Sequence, residues 1–109
     1  TEKRRIVMSV ITVTSENFEE IKKSDKKVLL DFFATWCGLC KMVSPLVDEI
    51  AEEHPEYIVG KVDVDEESAI AEEFGVMSVP TLVVLKNGEV VTQSSGARPK
   101  AKILELLEG

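Results

Sequence analysis

The sequence predicts an α/β domain, a central mixed five-stranded sheet flanked by four helices. Three observations predict it. Strand-like apolar runs alternate with amphipathic segments of helical period along most of the chain. The run Val28-Leu29-Leu30-Asp31-Phe32-Phe33 is nearly continuously apolar, as in a central strand covered on both faces. Asn87-Gly88 separates two short apolar runs, and Asn-Gly marks a hairpin because a type I′ turn needs positive φ at both central residues.

Taken in order, 10–13 reads as a short first strand. Thr14 or Ser15 caps a helix over 16–24, with Glu16, Glu19 and Glu20 early in it and Phe18 and Ile21 on its apolar face. After the central strand, a helix over 37–53 carries Cys40, Val43, Val47, Ile50 and Ala51 at helical spacing. Pro45 inside it removes a backbone donor and predicts a kink. A strand follows over 57–64. A short helix over 67–74 points Ala69, Ile70 and Phe74 inward and stops at Gly75. Strands over 81–85 and 89–93 form the hairpin, an antiparallel edge. Pro99 opens a closing helix over 99–107. The early crossovers predict parallel pairs of right-handed connection.

A chain of 109 residues makes one domain the default, and 44% hydrophobic with 30% charged residues is an ordinary globular mixture. The formal net charge of −7 argues against nucleic acid, which needs clustered Lys/Arg, and against anionic membrane surfaces. Lys3-Arg4-Arg5 is the exception and reads as a solvated terminus. No apolar stretch approaches the roughly 20 residues of a membrane-spanning helix. A self-sufficient domain start follows Met8, so residues 8–109 read as the domain. Residues 1–7 read as an extension, the end of a removed leader or an expression remnant. With no export signal visible, a reducing cytoplasm is the expected compartment.

The chain has two cysteines, Cys37 and Cys40. A bridge between them closes too small a loop to stabilise a fold, so the pair suits chemistry rather than scaffolding. Residues i and i+3 share one side of a helix start. There the free N–H groups and the helix dipole favour a thiolate, which is the reactive form. Cys37 is expected near those N–H groups, with Cys40 more buried. Cys37 then attacks a substrate disulfide, and Cys40 attacks Cys37 to release reduced substrate. Gly38 is expected to let the backbone turn tightly and to leave room for another chain. Trp36 offers a flat shield and contact surface. Zinc sites need four ligands, and a single His54 with one cysteine pair does not supply them, so no metal is expected. Met8, Met42 and Met77 read as packing residues.

The stretch Val28-Leu29-Leu30-Asp31-Phe32-Phe33-Ala34-Thr35-Trp36-Cys37-Gly38-Leu39-Cys40-Lys41-Met42 resembles the active-site segment of thioredoxins. Val76-Met77-Ser78-Val79-Pro80-Thr81-Leu82 is similar to their cis-proline loop. Lys86-Asn87-Gly88-Glu89 resembles their hairpin and Ser95-Gly96-Ala97 their last loop. The resemblance covers about residues 10–107. It implies the thioredoxin fold, a redox-active Cys37–Cys40 disulfide with no other cofactor, protein disulfides as substrates, thioredoxin reductase as electron donor, and a monomer.

The resemblance also implies further roles. Asp31 is the buried carboxylate beneath the dithiol. Burial raises its pKa and suits it to exchange a proton with Cys40. Lys61 is the lysine that approaches this carboxylate and tempers its charge. Pro80 is the cis-proline facing the cysteines, and the backbone of Val79 beside it pairs with an extended substrate segment. Gly96 keeps the neighbouring loop low enough for that segment.

Two positions depart from the family pattern. Leu39 stands where proline is usual between the cysteines, and predicts a modest shift of the reduction potential toward the oxidising side. Phe33 replaces a second tryptophan and removes a hydrogen-bond donor. Two other readings stay open on the residues alone: an oxidant or isomerase using the same pair, and a binding module whose dithiol is idle.

Overall fold

The computed structural model describes residues 9–109. Lys3-Arg4-Arg5, Met8 and the 1–7 extension lie outside those residues. Five strands, β1 (Val10–Thr12), β2 (Val28–Phe33), β3 (Ile58–Asp63), β4 (Thr81–Lys86) and β5 (Glu89–Ser95), form one sheet in the order β1-β3-β2-β4-β5. Four helices connect or close it: α1 (Phe18–Lys22), α2 (Gly38–Glu53), α3 (Ser68–Glu73) and α4 (Lys100–Glu108). The expected α/β class, strand number and helix number all hold.

β1, β3 and β2 are parallel. The antiparallel part extends further than an edge hairpin, because β4 already runs antiparallel to β2. After the short helix α3 the chain re-enters the sheet at the end where it left and runs backward along β2.

The two faces of β2 feed two cores. Leu30 and Phe32 pack with Phe18, Ile21, Val62 and Ile70 beneath α1 and α3. The rings of Phe18 and Phe32 both meet Phe74 edge-on at 5.8 Å. On the opposite face Leu29 joins Val43, Val47 and Ile50 of α2 and Ile103 and Leu107 of α4. Strand alternation puts Asp31 on the same face as Leu29, under α2. Burying these side chains is the main force that orients α2 on the sheet.

Several local expectations change. Thr14 does not cap α1, which starts at Phe18 after the cap residue Asn17. Instead the Thr14 hydroxyl accepts from the Glu16 N–H, and Asn17 Oδ1 accepts from the Thr14 N–H. These side chains satisfy a turn before the helix rather than the helix itself. Ala69 is exposed and Ala71 is buried in its place, while Ile70 and Phe74 face inward as expected. β5 runs on to Ser95 past an irregularity at Val84/Leu85 in its pairing with β4. α2 continues through Pro45. Gly75 (φ 63) ends α3, and Asn87 (φ 54) with Gly88 (φ 80) makes the hairpin turn, as their sequence requires.

Candidate active site

β2 ends at Phe33, and the chain reverses over residues 34–37 to start α2. Cys37 is the cap residue of that helix in extended conformation, and its Sγ accepts the Cys40 N–H at 3.1 Å. A side-chain acceptor at this position satisfies one of the free donors of the first turn. Cys37 and Cys40 are joined in a disulfide with Cα atoms 5.3 Å apart. Both are buried, at 6% and 3% exposed, so Cys40 is scarcely the deeper of the two in this oxidised state. Ala34, Phe33, Val64 and Val79 pack around them.

The surface beside the disulfide is apolar and open. Trp36 is 71% exposed, and its Nε1–H donates to Asp65 Oδ2 at 2.9 Å. Leu39 is half-exposed, Met42 is 65% exposed and Met77 is 96% exposed. Met42 and Met77 are therefore exposed rather than packing residues. A hollow of about 160 Å³ lies among Trp36, Val64, Val76, Met77, Ser78 and Val79. A larger cleft of about 280 Å³ opens on Cys40 between Phe33, Ala34, Thr35, Lys41, Ser44 and Lys61.

The other positions singled out in the sequence converge here. The Val79–Pro80 peptide is cis, and the Pro80 carbonyl accepts the Gly96 N–H at 2.8 Å. Gly96 has φ 95, a conformation that L side chains rarely adopt. Gly38 differs from expectation: its φ is not positive, and a Cβ there would meet nothing within 4 Å. It leaves open space without being required by the turn.

Asp31 is 1% exposed, and its Oδ1 has no hydrogen-bond partner. Burial raises its carboxyl from the usual 3.8 to about 6; the Lys61 ammonium pulls it down, and the Asp48 carboxylate pushes it up. Lys61 is the register partner of Asp31 on β3. Its Nζ, however, lies 2.7 Å from Asp48 Oδ1 and donates to Ser44 Oγ. Ser44 and Asp48 escaped the sequence reading. One signal was present: Cys40, Ser44 and Asp48 repeat every four residues, a polar stripe along one side of the apolar face of α2.

Comparisons with known proteins fit this geometry. The thioredoxin family model matches residues 9–109. The chain belongs to the thioredoxin family. It is 44% identical to the thioredoxin of Bacillus subtilis, over 92% of this chain and 96% of that one. It is 48% identical to the thioredoxin of Porphyra purpurea, over 88% and 92%. Among solved structures, a mutant thioredoxin from Halobacterium salinarum superposes with a TM-score of 0.81 at 36% identity, covering 91% of this chain and 86% of that one. The thioredoxin fold expected from the sequence is therefore the fold observed.

As a thioredoxin, the chain is a protein-disulfide oxidoreductase working by thiol–disulfide exchange at the Cys37–Cys40 pair. Thioredoxins use this cysteine pair in place of an external cofactor. The reading as an oxidant or isomerase is not favoured by these relatives. Among the described residues, no cluster of three or more His, Cys, Asp or Glu is placed to hold a metal ion, and no helix is long and apolar enough to cross a membrane.

Proposed function

We propose that this thioredoxin is a general protein-disulfide reductant of the cytoplasm, recharged by thioredoxin reductase. The observation that carries the reading is Cys37 as the cap of α2, its sulfur accepting the Cys40 N–H beside an open apolar surface. In the reduced protein that setting favours a Cys37 thiolate. The thiolate attacks one sulfur of a substrate disulfide, forming a Cys37–substrate bond and expelling the other sulfur as a thiolate. Cys40 then gives up its proton, with the Asp31 carboxylate as acceptor, and attacks Cys37 Sγ. The Cys37–Cys40 bond forms, and the Cys37–substrate bond breaks. Two electrons pass from the dithiol to the substrate, whose two thiolates take up protons. The reductase returns the electron pair.

Substrate is held by groups that surround the disulfide. Trp36 and the hollow beside it take an apolar segment, and the open space over Gly38 admits the second chain. The Val79 backbone pairs with the extended substrate, while Pro80 and Gly96, tied by their hydrogen bond, keep the flanking loops low. Lys61 tempers the charge on Asp31. Residues 8–109 act as one domain and as a monomer.

Cysteine variants test this order. Cys40→Ser is expected to accumulate mixed disulfides with substrate proteins, visible on non-reducing gels. Cys37→Ser is expected to accumulate none and to lose turnover. Equal trapping by both variants would reverse or abolish the assignment, and full activity of Cys37→Ser would mean that the dithiol is idle.

A further inference from the structure

Asp31 and Lys61 are register neighbours on adjacent parallel strands, the natural geometry for an ion pair. Yet the pair is not the one that the lysine makes. Its ammonium reaches across to α2, where Asp48 Oδ1 lies 2.7 Å away and Ser44 Oγ accepts a hydrogen bond. Asp31 Oδ1 is left buried without a partner. Solvation explains the choice. The Asp48 side chain is 49% exposed, so Lys61 can pair there while both ions keep water. Pairing at Asp31 would bury the ammonium and strip it of water.

We propose that Ser44 and Asp48 are positioning residues of the active site: they hold the Lys61 ammonium on α2, so that Asp31 serves Cys40 as an unpaired, proton-exchanging carboxyl instead of half a salt bridge. The stripe Cys40-Ser44-Asp48 makes this possible from one helix. The same side of α2 that presents the resolving sulfur also carries the two groups that restrain the lysine, and Cys40, Ser44 and Lys61 line one cleft. Among the described residues the other neighbours of Asp31 add no charge: β4 offers Leu82 in register, and α4 contributes apolar Ile103 and Leu107 to that face. Lys61 and Asp48 are thus the charges that set the behaviour of Asp31. Loss of Asp48 removes a like charge and frees an opposite one, and both changes favour the ionised form.

This inference rests on the reading of Asp31 as the proton acceptor for Cys40, and two readouts separate them. The first is the Asp31 carboxyl, followed by carbon NMR against pH in the oxidised protein. The second is the rate at which Cys40 resolves a mixed disulfide, followed by the second release of aromatic thiol when reduced protein meets an aromatic disulfide. Asp48→Asn is expected to move both inflections to lower pH by roughly one unit or more. Ser44→Ala should move them the same way by less, and Asp48→Glu should restore them. An Asp31 inflection in Asp48→Asn that stays at the wild-type pH overturns the positioning role. A rate profile unchanged by Asp31→Asn overturns the proton-acceptor reading instead, whatever the NMR titration shows.

Discussion

β2 and β5 lie in one sheet with only β4 between them, and they use their surroundings in opposite ways. β2 is buried on both faces along nearly its whole length, and among its side chains it holds one charge, Asp31. β5 is an edge strand, exposed at most positions, with Val90 and Val91 half in water. A carboxylate on β5 would cost almost nothing and do little. On β2 the same group is expensive, because burial disfavours its charged form and leaves Oδ1 without a partner. β2 thus gives up stability at one position to keep a titratable group in the core, and β5 makes no such sacrifice.

The largest expected effect comes from the apolar half of β2. Phe32→Ala removes a fully buried ring that meets Phe74 and should cost about 3–5 kcal/mol in urea unfolding. A loss under 1 kcal/mol would show that the core on that face is loosely packed.

Next in size is Asp31 itself. Its carboxyl is raised from 3.8 to about 6 in the folded protein, so the folded state holds the proton more tightly than the unfolded state. The contribution of Asp31 to stability should be full below about pH 4 and be lost as pH rises toward 6. The shift is about two pH units, worth about 3 kcal/mol. Asp31→Asn removes this dependence. Relative to wild type, the variant should therefore gain about 3 kcal/mol more at pH 7 than at pH 4. Unfolding curves at the two pH values check this, and an equal difference at both would contradict the buried, shifted carboxyl.

Two glycines give a smaller contrast. Gly96→Ala, just past β5, should cost about 1–2 kcal/mol, because φ 95 strains any L side chain although its Cβ would meet open space. Gly38→Ala should be neutral or stabilise by up to about 1 kcal/mol, since Gly38 sits in the first turn of α2 without positive φ. The smallest effect belongs to the exposed strand: Val91→Thr should stay within about 0.5 kcal/mol of wild type.

The contrast between the strands was half visible in the sequence. β2 announced itself as an apolar run broken by one charge, and Asn87-Gly88 fixed the turn into β5, because both signals are local. The direction of β4 beside β2 was not visible, since it depends on the end of the sheet at which the chain re-enters, a tertiary property. At the site, Cys37, Cys40 and Asp31 stood out by spacing and by an interrupted pattern. The fate of Lys61 did not, because its choice between Asp31 and Asp48 is decided by which partner keeps water, a tertiary property. Met42 and Met77 read as packing for the same reason: an apolar side chain carries no local mark of the surface it ends on.

That the Cys37–Cys40 pair serves as a reductant is tested most directly by its equilibrium reduction potential in defined thiol buffers. A value near the roughly −270 mV of thioredoxin, displaced modestly upward by Leu39, is expected. A value above about −200 mV, in the range of isomerases and oxidants, would contradict it.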